Sequence, residues 1–182
     1  MLKTLAIVGI AACVAQGQVI WDETIDGDLS NDGATPSVGG SLAVGDNLVR
    51  GSTGPGTGTI GEPGFDVLTF TVDAGEVVTS MILNAYDPAT GGSSGFVLFD
   101  GPLGDGTGTP FIGGSTGDGA AVGTDLFDQI GITELVAGDY TFEVREFGGP
   151  RSTWEVNFTV VPAPASAALL GLGGLAAIRR RR

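Results

Sequence analysis

Histidine is absent from this 182-residue sequence, and cysteine and lysine occur once each, as Cys13 and Lys3. A single cysteine cannot form an intramolecular disulfide, so the fold must be held together by burial of apolar side chains. The usual zinc ligands are histidine and cysteine, and nucleophilic catalysis of the serine–histidine type needs a histidine base. The composition therefore argues against a disulfide scaffold, a typical zinc site and a serine–histidine hydrolase.

Acidic residues dominate the region between positions 18 and 161. This region contains all twenty-one acidic residues of the chain but only three basic ones, Arg50, Arg145 and Arg151, which gives it a formal charge of −18. Such a surface repels phosphate groups, so we expect no nucleic acid partner. A length of about 144 residues suits one domain.

Residues 1–17 have the pattern of a secretory signal peptide. A short positively charged segment is followed by an apolar run, and Ala15 and Gly17 are small residues at the positions that a signal peptidase recognises before its cleavage site. We therefore expect signal peptidase to cleave before Gln18. The alternative is a lipoprotein signal, in which Cys13 carries the lipid and becomes the mature N-terminus.

The tail, residues 162–182, combines prolines, an apolar run and a block of arginines. As a helix, residues 165–178 would reach only about 21 Å, less than the roughly 30 Å hydrocarbon core of a bilayer. This short transmembrane helix suits a transient inner-membrane anchor that is later processed, with the arginines held at the inner face. The residues of the signal are Val161, Pro162, Ala163 and Pro164, followed after the helix by Arg179, Arg180, Arg181 and Arg182.

This tail resembles the PEP-CTERM sorting signal of bacterial exported proteins. The resemblance implies that an exosortase-type membrane protease is a partner and that the mature protein reaches the cell surface or the extracellular space. Ala163 departs from the family pattern, which has glutamate between the prolines. An ordinary C-terminal anchor helix and a poorly ordered apolar tail are the alternatives.

Residues 18–161 have the composition of a β-protein. Most of the 33 glycines and nine prolines of the chain separate short runs rich in Val, Thr and Phe. The alternation of Trp154, Val156 and Phe158 with polar residues places these three side chains on one packed face. The predicted fold is all-β, an antiparallel β-sandwich or jelly roll of about eight strands, with a short signal helix before it and the short transmembrane helix after it.

Turn residues suggest how these strands are connected. We expect one hairpin from residues 140–144 and 154–160 across a Gly-Gly-Pro turn, and a second from residues 68–72 and 77–86. Residues 126–133 are predicted to form a further short strand.

Three segments of this region resemble pre-peptidase C-terminal-type domains: residues 64–75, residues 95–100 and residues 135–144. The resemblance implies a non-catalytic β-sandwich accessory domain and transfers no functional residues.

Acidic residues cluster between residues 26 and 32, near the start of this region. Asp28, Ser30 and Asp32 alternate before a glycine, like the first half of an EF-hand loop, but the twelfth position is Gly39 rather than glutamate. The loop is therefore not an EF-hand, and the two interpretations left open are a Ca²⁺ site of another kind and solvated turn acids. The candidate metal ligands are Asp26, Asp28, Ser30 and Asp32, with Asp100, Asp105 and Asp118 as a weaker second set.

The sequence favours a non-catalytic cell-surface or extracellular-matrix (biofilm) protein. One alternative is a calcium-assisted carbohydrate-binding module that presents Trp21 to an extracellular polysaccharide. The other is a small glycosidase, since two carboxylates suffice for that chemistry.

Overall fold

The computed structural model describes residues 17–57, 59, 61–88, 93–102, 111–116 (backbone), 122–149 and 151–164. These residues form nine strands and two short helices. The strands are β1 (Gln18–Asp22), β2 (Ser37–Ser41), β3 (Gly45–Thr53), β4 (Phe65–Val72), β5 (Glu76–Pro88), β6 (Ser94–Asp100), β7 (Phe111–Thr116), β8 (Gly138–Glu146) and β9 (Ser152–Pro162), and the helices are α1 (Glu23–Asp26) and α2 (Leu126–Ile130).

The strands form two sheets that face each other, so the expected β-sandwich is confirmed. One sheet has the order β1-β3-β9-β5 and the other the order β2-β4-β8-β6-β7. Alternate side chains of both sheets meet in one core. The ring centroid of Phe142 on β8 lies 5.8 Å from that of Trp154 and 5.6 Å from that of Phe158, both on β9. Trp154, Val156 and Phe158 are all buried, as their alternation predicted.

Both expected hairpins are wrong. β8 pairs with β4 and β6, whereas β9 pairs with β3 and β5 in the opposite sheet. β4 and β5 likewise belong to opposite sheets, so they do not pair with each other. The glycine-containing turns carry the chain from one sheet to the other. Alternation shows that a strand has one buried face, which is equally true of neighbours in a sheet and of strands that face each other across the core.

The sheets are also mixed rather than purely antiparallel. β1 pairs in parallel with β3, and β2 pairs in parallel with β4. The chain alternates between the sheets from β1 to β4, so each of these pairs is joined by a crossover, the connection that parallel strands require.

Residues 126–130 form helix α2 instead of the expected strand. Asp125 caps its start by accepting a hydrogen bond from the Phe127 amide, and Gly131 ends it in the left-handed conformation at φ = 76°. The carboxylate of Asp125 also accepts a hydrogen bond from the Met81 amide at 3.0 Å. The helix therefore attaches to the outer edge of β5 through its cap.

Glu146, at the end of β8, is a fully buried carboxylate that joins several segments. It accepts five hydrogen bonds, from the amides of Ser93 and Gly149 and from the hydroxyls of Thr53, Ser94 and Ser152. These donors belong to both sheets and to the connections between them. A buried charge with this many donors is well satisfied and fixes one end of the sandwich.

The two ends of the chain lie mostly outside this description. The predicted signal helix, Ala15, the predicted transmembrane helix 165–178 and the arginines Arg179 to Arg182 are outside the described residues. Within the described residues, no helix is long and apolar enough to cross a bilayer. Of the predicted sorting residues, Val161 and Pro162 end β9, and the Ala163 amide donates a hydrogen bond to the Gly75 carbonyl at 2.7 Å.

We predict that Glu146→Ala lowers the free energy of unfolding by about 3–5 kcal/mol, because buried donors lose their shared acceptor. Glu146→Gln should cost less, about 1–3 kcal/mol, since hydroxyl groups can turn to accept from an amide. The exposed Glu134→Ala is the control and should stay within about 0.5 kcal/mol of the parent in urea denaturation. Equal effects of Glu146→Ala and Glu134→Ala would contradict this account.

Candidate metal centre

Asp66 is an acidic residue on the inner face of β4. Strand alternation places it in phase with Leu68, Phe70 and Val72, all of which belong to the core. Its side chain is 1% exposed, and neither carboxylate oxygen has a hydrogen-bond partner among the described residues. A carboxylate in this position is unstable as an anion unless something positive lies beside it.

Glu23 reaches the same place from helix α1. β1 ends at Asp22, so no described strand pairs with the edge of β3 beyond that point, and Glu23 takes its place. Its Oε2 accepts hydrogen bonds from the amide and the hydroxyl of Ser52, at 2.7 and 3.1 Å. Its Oε1 accepts a longer one from the Leu29 amide, at 3.3 Å. The Glu23 carboxylate is therefore fixed in position.

Gly51 of β3 makes room for this carboxylate. A Cβ atom at position 51 would lie 2.7 Å from Cδ of Glu23 and 2.9 Å from Cζ2 of Trp154. Both distances are shorter than carbon atoms tolerate, and Trp154 is held in the core. The absence of a side chain at Gly51 is thus a requirement of the site.

Asp28 completes the cluster from the turn that follows α1. Gly27 has φ = 91°, which reverses the chain after the helix. The indole N–H of Trp21 donates a hydrogen bond to the Gly27 carbonyl at 3.1 Å, and the next residue but one, Leu29, is buried in the core. Asp28 is exposed between these two attachments.

The three carboxylates converge. One oxygen each of Glu23, Asp28 and Asp66 lies within 4.8 Å of the other two. Oxygens bonded to one Ca²⁺ ion at 2.3–2.6 Å lie no more than about 5 Å apart. The spacing therefore fits a shared ion, and the ligands are hard oxygens of the kind that Ca²⁺ prefers. We refer to Glu23, Asp28 and Asp66 as the carboxylate cluster.

Without a cation, the cluster is electrostatically strained. Burial raises the pKa of Asp66 to about 9, and the negative charges of Glu23 and Asp28 add to that effect. The Trp154 indole lowers this pKa, but its N–H does not reach hydrogen-bond geometry to any described residue. The pKa of Glu23 is also raised, mainly by burial. A bound cation would favour the ionised form of all three groups.

The other acidic residues proposed from the sequence have different partners. Asp26 Oδ2 accepts from the Asp22 amide at 2.9 Å. The Ser30 hydroxyl accepts from the Asp32 amide at 3.1 Å, and Asp32 itself accepts from the Ala34 amide and the Thr35 hydroxyl. Of the four candidates, Asp28 alone joins the carboxylate cluster.

The remaining candidates lie apart from the carboxylate cluster or outside the description. Trp21 is partly buried, and its indole holds the turn that carries Asp28. Asp100 is exposed at the end of β6, and Asp105 and Asp118 lie outside the described residues.

Sequence reasoning missed Glu23 and Asp66. The signal for Asp66 is nevertheless in the sequence, because an acid occupies an inward position of an otherwise apolar alternation with Leu68, Phe70 and Val72. Glu23 gives no comparable signal, since its role depends on where β1 ends.

A pocket of about 590 Å³ adjoins the carboxylate cluster. It is bounded by α1, the end of β3 and the start of β9, and Glu23 and Asp28 form part of its wall. A ligand in this pocket would therefore lie beside a cation held by the cluster.

Comparison with known proteins gives a fold likeness and no assignment. No protein-family model matches the sequence, and no curated protein matches it. Among solved structures, the chain is similar to the pre-peptidase C-terminal domain of a collagenase from Bacillus anthracis, with 16% identity, a TM-score of 0.38, and coverage of 69% of this chain and 95% of that one. The fold defines this chain as a β-sandwich protein, and no functional residue is carried over from the likeness.

We predict that Asp66→Asn stabilises the cation-free protein. The pKa of Asp66 is higher in the folded protein than in the unfolded chain, where it is near 4. Below about pH 4 this difference does not affect the free energy of unfolding. Between about pH 4 and pH 9 it lowers the free energy of unfolding by up to about 1.4 kcal/mol per pH unit. The neutral amide removes that cost and can donate to the other two carboxylates. In urea denaturation with chelator, the advantage of Asp66→Asn should therefore be at most about 1.4 kcal/mol at pH 5 and several times larger, up to about 5.6 kcal/mol, at pH 8. A variant less stable than the parent at pH 8 would show that the carboxylate is satisfied without a cation.

Proposed function

We propose that this chain is an exported, non-catalytic cell-surface or extracellular-matrix protein whose β-sandwich binds Ca²⁺ at the carboxylate cluster. The observation that supports the cation site most strongly is the environment of the buried Asp66 carboxylate. Its two carboxylate oxygens are buried between the sheets without a partner among the described residues, and they face two further carboxylates. A divalent cation supplies the missing positive charge for all three.

The ligand set favours calcium over other metals. Three carboxylates, one of them on an exposed turn, form an irregular all-oxygen site of the kind that Ca²⁺ accepts at coordination numbers of 6–8. Mg²⁺ demands near-ideal octahedral geometry with shorter bonds, and softer metals prefer nitrogen or sulfur ligands. Backbone carbonyls and water would fill the remaining positions.

The export part of the proposal is supported by the bounds of the first and the last strand that the structure describes. β1 starts at Gln18, the residue that follows the predicted signal peptidase site, and β9 ends at Pro162, where the proline segment of the tail begins. Removal of both predicted signals would therefore leave the sandwich and its cation site intact.

We predict one Ca²⁺ per chain in isothermal titration calorimetry of residues 18–164. Binding should raise the free energy of unfolding by about 2.7 kcal/mol when free Ca²⁺ is a hundredfold above its Kd. Asp66→Asn should abolish this increase, because it removes the one ligand buried between the sheets. Asp32→Asn is the matched control, since Asp32 only closes a local turn, and it should bind Ca²⁺ like the parent.

Two results would contradict the cation proposal. The first is a melting curve in Ca²⁺ that superimposes on the curve in chelator. The second is equal loss of binding in Asp66→Asn and Asp32→Asn, which would place the ion in the acidic turn rather than at the carboxylate cluster.

We predict that full-length protein expressed in a bacterium with an exosortase-type protease is processed at both ends. Intact mass spectrometry of the surface fraction should give an N-terminus at Gln18 and a C-terminus within the proline segment. In a strain without the protease, the tail should remain and the protein should be retained in the membrane fraction. A lipid-modified Cys13, or full-length protein in the cytosol, would contradict this route.

A further inference from the structure

The pocket beside the carboxylate cluster contains an unusual share of the positive charge of the domain. Of the three arginines between residues 18 and 161, Arg50 and Arg151 both line it. Arg50 is paired, with Asp22 at 3.0 Å and Glu155 at 3.9 Å. Arg151 is exposed, and in the described part of the chain no carboxylate lies within 4.0 Å of its guanidinium.

An arginine without a carboxylate partner is notable in a domain with twenty-one acids. Arg151 instead donates one hydrogen bond from Nη2 to the hydroxyl of Ser52, at 2.6 Å. The same hydroxyl donates to Oε2 of Glu23, at 3.1 Å. Arg151 is therefore two hydrogen bonds from a ligand of the proposed cation, and its remaining N–H groups are available to a ligand.

This arrangement places two positive groups on one pocket, a cation at the carboxylate cluster and the guanidinium of Arg151. A planar guanidinium and a Ca²⁺ ion share one preferred partner, the carboxylate group, which can bond to both through its two oxygens. We propose that the pocket binds a sugar carboxylate, a uronic-acid unit of an acidic polysaccharide, with its carboxylate between the bound cation and Arg151. This inference rests on the proposed cation site.

The rest of the pocket favours a sugar over an acidic peptide. Thr24, Ser52 and Thr153 place hydroxyls on its wall, and Asp22 and Glu155 place carboxylates there. Apart from Thr153, each of these groups already bonds within the protein, and the two carboxylates keep further acceptor positions for a ligand. A sugar ring has several hydroxyls that can both donate and accept, so it suits a wall with more acceptors than donors. A peptide rich in Asp and Glu has acceptor-only side chains, so these acceptor oxygens would find few donors on it besides its backbone N–H groups.

The test is calorimetric titration of residues 18–164 with trigalacturonate, which is too short to gel, in saturating Ca²⁺. Binding should be seen in Ca²⁺ and lost in chelator, and the neutral maltotriose should not bind. Arg151→Gln should weaken trigalacturonate binding at least tenfold and should bind Ca²⁺ at least as tightly as the parent, because the charge that it removes is positive. Ala137→Glu is the control, because it makes the same change in net charge on an exposed turn at the opposite end of the sandwich, and it should bind like the parent.

The outcomes separate this inference from the proposed function. If Ca²⁺ binds but trigalacturonate does not, the inference is overturned and the cation site stands. If trigalacturonate binds equally in chelator, or if Arg151→Gln and Ala137→Glu weaken it equally, the bridged geometry is wrong. If an Asp/Glu-rich peptide binds through Arg151 and trigalacturonate does not, the ligand is a protein and the sugar assignment fails. If Ca²⁺ itself does not bind, both proposals fail together.

Discussion

The structure depends on how it accommodates carboxylates that are removed from water. A chain with twenty-one acids and few cations has little scope for ion pairs. Among the described residues, buried Asp22 pairs with Arg50 and buried Glu143 with Arg145, so a further buried acid must find backbone amides, hydroxyls or an added cation. Two inward-facing acids occupy the same end of the sandwich, where the Glu146 amide bonds to the Gly64 carbonyl two residues before Asp66. Glu146 is satisfied by five donors from surrounding segments, whereas Asp66 faces two other carboxylates. The first arrangement stabilises the fold by itself, and the second would be stabilised by the proposed cation.

This contrast explains why the carboxylate cluster is interpreted as functional. The cluster is assembled from three elements, the helix after β1, the turn that Trp21 holds, and the start of β4, and a backbone bridge between Ser30 and Val67 joins the last two. Gly51 leaves the space that the Glu23 carboxylate occupies. Because β1 stops at Asp22, the edge of β3 is available to Glu23, so the strand boundary itself creates the site.

The sequence predicted the class of fold and much of the core, because alternation and glycine-rich turns are local signals. It placed Trp154, Val156 and Phe158 inward, where they lie. The sheet to which each strand belongs is not a local property, since a turn that reverses the chain can lead to a neighbour or to the facing sheet. The hairpins were wrong for that reason. Helix α2 was missed because its apolar residues, Leu126 and Phe127, are buried in the core, as strand residues would be.

The same limit applied to the carboxylate cluster. Asp28 was found because acids cluster around it in sequence, but its partners are distant along the chain or hidden in a strand. The inward position of Asp66 could be recognised from the apolar alternation around it, whereas the role of Glu23 depended on pairing between β1 and β3. Residues that meet only through topology are therefore the part of a site that sequence patterns do not reveal.

The most direct test of the central claim is a crystal structure of residues 18–164 grown with Ca²⁺ and, in parallel, with Tb³⁺ for its anomalous signal. We predict a single ion bonded to one oxygen each of Glu23, Asp28 and Asp66, at about 2.3–2.6 Å for Ca²⁺. An anomalous peak elsewhere, or an Asp66 side chain hydrogen-bonded to protein groups with no ion beside it, would contradict the account.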